Sequence, residues 1–436
     1  MTIRISSGYF YKAVNTMAKE RTYLCIDLKS YYASVECVER HLDPLTTKLV
    51  VADPERTEKT ICLAVSPAMK ALGVRNRCRV FEIPKHIDYI MAKPRMALYM
   101  EYAARIYGIY LRYAAEEDIH VYSIDEVFMD ITDYYKVCGT SAKGFAVRLL
   151  RDIYEQTGLT ATCGLGSNLY LAKIALDIMS KRTADHIGIL SEESYRAILW
   201  DHRPITDFWR IGPGTERRLA RLGIHDMGGV ATANEDVLYK TFGIDAELLI
   251  DHAWGREPTT MADIKNFRPQ SKSLSRGQVL ICDYDYPKGR IVVREMAEDL
   301  ALDLFAQGLE AKSVGLSLGY TYRADRPPAQ GSVAMELPTS SVKSLADAAE
   351  ALYDRIMERE SSIRRINLCY GGVRERQPRQ YDLFVGEEAG EREERLQKAM
   401  VSIRKKYGKN GLLKCMDLQE GATAMERNRQ IGGHRA

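Results

Sequence analysis

The chain has 436 residues, of which 46% are hydrophobic and 28% charged, enough to bury several cores and too apolar for a disordered polypeptide. Its formal net charge is only +3, so no global field announces a polyanion partner and any such surface must come from local clustering. No run of about 18 apolar residues occurs, and the N-terminus lacks the apolar core of a secretory signal; a helical membrane span is excluded and a cytoplasmic location is expected.

Residues 1–21 form an extension without assignable pattern. Residues 22–28 read as a short apolar strand carrying Asp27 at its end, a rim position, and a helical stretch continues to Glu39. "KLVVAD" reads as a second strand, and "SPAMKALGV" as a short helix with Ser66 as N-cap, Pro67 at its first position and an end near Gly73. Residues 95–117 carry apolar and tyrosine positions at helical spacing.

The stretch "IHVYSIDEVFMDI" predicts a hairpin with a tight corner at Ile124 to Glu126. Neighbouring side chains of a regular strand face opposite ways, so Asp125 and Glu126 can meet one ligand only if the backbone turns there. A helix near 141–156, the strand "LTATCGLGSN" and the helix "LYLAKIALDIMSK" follow. The glycines of "GLGSN" alone are weak evidence for a phosphate loop, since such turns join many strands to helices for steric reasons, whereas Lys173 and Lys181 offer point charges to a triphosphate. This order of elements predicts a ferredoxin-like layer with its acids on one surface.

Residues 187–262 read as helical. Gly212 and Gly214 separate two helical patterns in "ITDFWRIGPGTERRLARLGI", a helix-hairpin-helix whose backbone N–H groups can approach a DNA phosphate, with Arg217 beside it. A second hairpin is expected at "YKTFGIDAELL", then a basic linker over 263–269 and an α/β domain over 270–379. The tail, 385–436, carries Leu396, Met400, Ile403 and Tyr407 at helical spacing, which suits either a partner helix or one folded back on the preceding domain. Nine cysteines lie far apart without a C-x-x-C pair, and Cys37 with His41 has no second half; free thiols are expected.

Buried carboxylates need a cation. Asp27, Asp125 and Glu126 supply the oxygen donors that a pair of Mg2+ ions takes when substrate phosphates complete the coordination, an arrangement suited to joining a 3′-hydroxyl to a nucleotide. At this point "IDLKSYYASVE" and "YSIDEVFMDI" resemble the two catalytic motifs of the Y-family, lesion-bypass DNA polymerases. The likeness extends through "AVSPAMKALGV", "GLGSNLYLAKIALDIMSK" and "RIGPG", covers about residues 22 to 385, and is strongest to the UmuC-like branch of bacteria.

The resemblance implies a multidomain α+β right hand: palm over 22–38 and 98–186, fingers over 39–97, helix-hairpin-helix thumb over 187–262 and little finger over 270–379. It implies that Asp27, Asp125 and Glu126 hold two Mg2+ ions with the Leu28 carbonyl completing one sphere, that Tyr32 is the steric gate against a 2′-hydroxyl, and that Tyr31 shapes the nucleotide pocket. Lys70 and Lys181 would grip the triphosphate; Pro67 departs from family members with a hydroxyl there and weakens that grip. Arg364, Arg365, Arg374 and Arg376 would contact the template-primer backbone without reading sequence. Residues 380–384, Q-Y-D-L-F, resemble the pentapeptide that docks bacterial polymerases on the sliding clamp, through Gln380, Leu383 and Phe384.

The expected activity is low-fidelity, Mg2+-dependent copying of damaged template in an SOS-type response, with accessory damage-response proteins as further partners. Two other classes compete: a non-catalytic factor that recruits DNA and clamp, against which all three acids are present, and a two-metal nuclease, which needs neither a tyrosine gate nor triphosphate lysines.

Overall fold

A computed structural model describes residues 20–269, 272–321, 324–377 and 387–435. The chain divides into two units, Met1–Phe267 and Arg268–Ala436.

The first unit is built on a five-stranded sheet of β1 (Tyr23–Leu28), β5 (Ile119–Val121), β6 (Glu126–Asp130), β7 (Ala161–Gly166) and β8 (Ile187–Leu190), in the order β5-β6-β1-β7-β8; the three intervening strands form a separate small sheet. The four strands preceding β8 are antiparallel and follow the ferredoxin-like order, while β8 adds parallel to β7. Central β1 is buried at Tyr23, Leu24, Cys25, Ile26 and Leu28, as expected of a strand covered on both faces. Tyr23, Cys25 and Phe128 pack against Leu169, Ala172 and Leu176 on the helical segment that follows β7.

That segment is α-helical over Leu169–Ile174 and continues as a π-turn over Ala175–Met179. Its closeness to the sheet explains the glycines: a Cβ on Gly164 would stand 2.1 Å from the Ala172 carbonyl oxygen, one on Gly166 2.3 Å from the Ala172 nitrogen, and one on Gly188 2.1 Å from the Ala175 carbonyl oxygen. "GLG" therefore serves close helix-on-strand packing, the steric alternative of the sequence reading.

Residues 39–97, expected to form the fingers, hold a sheet in the order β3-β2-β4, made of β2 (Leu49–Val51), β3 (Ala64–Val65) and β4 (Ile90–Ala92). The expected short helix is present over Pro67–Ala71, with the Ser66 hydroxyl accepting from the Met69 N–H. The long amphipathic helix is shorter than its apolar pattern, Met96–Tyr110. Beyond it the Ala115 N–H donates to the Tyr134 hydroxyl at 3.1 Å, a tertiary bond in place of a helical one.

Two boundaries move. Residues 187–190, expected to open the thumb, are the last strand of the sheet. Residues 263–266, expected to start a linker, belong to the helix Met261–Asn266, and Met261 is buried with Tyr23 and Phe128. Between them lie the helices Glu192–Leu199, Pro213–Ala220, Met227–Thr232, Glu235–Phe242 and Asp245–Ala253 around one apolar core, with Gly243 marking the second expected hairpin.

The second unit is an antiparallel sheet ordered β11-β10-β12-β9, from β9 (Lys272–Tyr284), β10 (Leu309–Tyr320), β11 (Ala329–Thr339) and β12 (Ile363–Glu375). The helices Tyr286–Ala306 and Val342–Ile356 share a core with its strands. The tail folds back on this unit. Asp299 accepts from Arg404 of the helix Glu387–Tyr407 at 2.7 Å and also pairs with Arg276, while Glu295 accepts from the Thr423 N–H at 2.9 Å. All nine cysteines are free. Among the described residues no helix is long and apolar enough to cross a membrane.

Candidate active site

The acids converge through backbone pairing. Asp27 on β1 and Glu126 on β6 are direct cross-strand partners, and the Leu28 N–H donates to the Asp125 carbonyl at 3.0 Å. Cross-strand partners in an antiparallel pair place their Cα atoms about 4.5 to 5.5 Å apart with side chains on one face. Glu126 opens β6 and Asp125 is the last residue of the corner before it, so the expected turn between the two acids is present. The Ser123 hydroxyl donates to Asp125 Oδ1 at 2.7 Å.

Electrostatics record the crowding. The Asp27 carboxyl is pushed up to about 7, first by burial and then by the charges of Asp125 and Glu126, with Lys173 acting in the opposite direction. Burial also raises Glu126, against the pull of the Lys173 ammonium. Lys173 donates to Glu126 Oε2 at 3.0 Å and to Asp177 Oδ1 at 2.9 Å, so it serves the carboxylates and not a triphosphate in this arrangement.

With Glu126 turned onto Lys173, no three acidic, histidine or cysteine side chains among the described residues already converge on one ion position. The donor set still fits hard divalent cations. It is made of carboxylates, and their mutual repulsion at Asp27 is what a cation relieves.

The adjacent helix, Tyr31–Val38, starts directly after Ser30 in left-handed conformation (φ 48°). Tyr31 is buried and donates its hydroxyl to the Tyr99 carbonyl at 2.5 Å. Tyr32 is half-buried, stacks on the Tyr99 ring, and has its hydroxyl pushed up by partial burial and by Asp125. Sequence reading missed the support beneath: Tyr99 donates to Glu36 Oε1 at 2.8 Å, and Arg95 grips both oxygens of fully buried Glu36 at 2.9 and 2.8 Å. The signal was an acid four positions after Tyr32 on an otherwise apolar helix face.

Lys70 and Lys181 are exposed and form no ion pair among the described residues. The Lys70 ammonium is lowered, mainly by desolvation, with Asp27 opposing and Lys181 reinforcing, so it lies within electrostatic reach of both. Gly212 caps the helix Pro213–Ala220, and Gly214 and Arg217 lie exposed on it.

The little-finger arginines separate. Arg365 is exposed, on the side of β12 opposite the buried Ile366 and Leu368. Arg364 donates to Asp283 at 3.1 Å, Arg374 to Glu310 at 2.7 Å, and Arg376 to Glu394 of the tail at 2.6 Å. Those three are already engaged within the unit. Gln380, Leu383 and Phe384 lie outside the described residues.

This fold is that of the Y-family DNA polymerases: it matches a solved Y-family DNA polymerase chimera with a TM-score of 0.64, over 81% of this chain and 99% of that one, at 20% identity. The chain belongs to the impB/mucB/samB family, whose model matches residues 26–177 and whose C-terminal domain model matches residues 271–383. A Bacillus subtilis (strain 168) protein named for UV-damage repair, UvrX, is 29% identical over 95% of this chain and 98% of its own length. A protein of the same strain named DNA polymerase IV 2 is 28% identical over 96% and 100%. One named DNA polymerase IV, from Pelotomaculum thermopropionicum, is 28% identical over 93% and 97%.

Proposed function

We infer that the chain is a template-directed DNA polymerase that extends primers across damaged template. The observation that carries this is the pairing of Asp27 with Glu126 beside Asp125, with the Tyr32 ring at the neighbouring helix start. The names of the relatives, polymerase and UV-damage repair, point the same way.

Asp27, Asp125 and Glu126 would hold two Mg2+ ions, with the Leu28 carbonyl as a further donor. When bound, the ions supply Lewis-acid activation of the primer 3′-hydroxyl and neutralise the departing pyrophosphate. The chain's own residues do the remaining work. Tyr32 lies under the incoming sugar and excludes a 2′-hydroxyl; Tyr31 backs the pocket; Lys70 and Lys181 draw the triphosphate toward the acids. Gly212, Gly214 and Arg217 hold the duplex by its phosphates, as does exposed Arg365, giving salt-sensitive binding of low sequence preference. The Q-Y-D-L-F motif at 380–384 supports docking on a sliding clamp, and a damage-response setting supports accessory proteins.

The deciding experiment incubates primed template with Mg2+, with and without deoxynucleotides, for the wild type and Asp125→Ala. Nucleotide-dependent extension by the wild type, lost in the variant at unchanged DNA affinity, is expected. Shortening of the primer without nucleotides would make it a nuclease, and DNA binding with neither reaction would make it a recruitment factor.

A further inference from the structure

The helical segment after β7 carries a buried cation that the polymerase reading does not use. Lys173 has a side chain only 9% exposed, yet its Nζ lies 2.9 Å from Glu126 Oε1, 3.0 Å from Glu126 Oε2 and 2.9 Å from Asp177 Oδ1. An ammonium has three hydrogens, and here three carboxylate oxygens stand in reach of it. Its position is therefore fixed from two sides.

Glu126 depends on that cation. Its other side-chain partner is the Cys25 thiol at 3.5 Å, a weak donor. A carboxylate offers about four lone-pair sites, so a lysine on one flank leaves the outward flank free for a second cation. The glycines at 164, 166 and 188 bring the segment close enough to deliver Lys173, and Asp177, which retains it, lies within the π-turn, an irregularity found often at functional sites.

We propose that Lys173, retained by Asp177, is a positioning residue that aims the Glu126 carboxylate at the acidic rim before a divalent cation and nucleotide arrive. This rests on the polymerase reading of that rim. A merely structural ion pair makes a different prediction: removing the lysine alone leaves buried carboxylates unpaired and lowers stability, which the melt registers, while the folded variant would keep its rate and metal affinity.

The test uses the full chain as Lys173→Met, Lys173→Arg and Asp177→Asn, with thermal melts to establish folding. Two quantities are read: the single-turnover rate and nucleotide KM of primer extension, and Mn2+ binding followed by electron paramagnetic resonance on the DNA-bound enzyme without nucleotide. Loss of a group that orients a metal ligand costs about 10- to 100-fold in affinity or activity. Lys173→Met is expected to lose rate and Mn2+ affinity in that range while the nucleotide KM stays nearly constant, Lys173→Arg to recover part of both, and Asp177→Asn to show a smaller loss of both. Wild-type rate and Mn2+ affinity in Lys173→Met would overturn the assignment; if that variant does not fold, unchanged values in Asp177→Asn overturn it instead. A wild type that extends no primer would defeat the polymerase reading alone, because the Mn2+ comparison still reports on Lys173.

Discussion

The ring of Tyr32 is stacked on the ring of Tyr99, with centroids 4.5 Å apart and planes 16° apart. Tyr99 is itself immobilised, its hydroxyl on Glu36 and its carbonyl accepting from Tyr31. If Tyr32 is the sugar gate proposed above, its ring is held through Tyr99 by the buried Glu36 carboxylate, which half-exposed Arg95 pairs. Tyr32→Ala is expected to raise ribonucleotide relative to deoxynucleotide incorporation by at least about tenfold, roughly 1.4 kcal/mol. Tyr99→Leu removes an aromatic contact worth about 0.5 to 1.5 kcal/mol and should loosen the same ratio by a few-fold. Competition assays read both; an unchanged ratio in Tyr32→Ala removes the gate.

Crowded carboxylates at Asp27 predict stabilisation by divalent cations. A cation at ten times its dissociation constant adds about 1.4 kcal/mol to a folded state it alone binds. Differential scanning fluorimetry should show a rise in melting temperature with Mg2+ or Mn2+ that disappears in Asp27→Asn. Because the free Asp27 carboxyl stands at about 7, it must lose a proton to bind, so the rise should be smaller at pH 6 than at pH 8. Equal rises at both pH values would place the cation elsewhere.

Gly164→Ala puts a methyl group 2.1 Å from the Ala172 carbonyl oxygen and 2.3 Å from the Leu176 nitrogen, both backbone atoms of the helical segment. The segment must lift. Overpacking of this kind costs about 1 to 3 kcal/mol, and Lys173 and Asp177 move with their backbone. Denaturant titration and primer extension on the same preparation should both register the change; a stable, fully active variant would mean the segment yields without disturbing the site.

Glu257 supplies a second pH signature. It pairs with buried His252 at 3.1 Å and stands at about 2, because burial, which alone would raise it, is outweighed by hydrogen bonds from His252 and Thr259. Its folded value lies below its ordinary 4.5, so the stabilisation is complete above that value and is lost as pH falls toward 2. A shift of this size corresponds to roughly 3 kcal/mol as an upper bound. Glu257→Gln should melt lower than wild type at pH 6, with the gap closing below pH 4; a gap independent of pH would assign the effect to shape alone.

The residue order by itself determined much of this protein. Apolar runs and turn residues marked the palm strands and the short fingers helix, since strand and helix periodicity is local information. Asp27 and the Asp125–Glu126 pair stood out because acids inside apolar stretches demand a partner. What the sequence did not decide was which partner. That Lys173 serves Glu126, 47 positions away, and not a phosphate, depends on how closely a helix settles on the glycines of β7 and β8. The same holds for β8 joining the palm sheet, for Tyr99 under Tyr32, and for a tail held to its own domain by Asp299 and Glu295. Each is a contact between distant segments, and only the packed chain brings their side chains within hydrogen-bonding range.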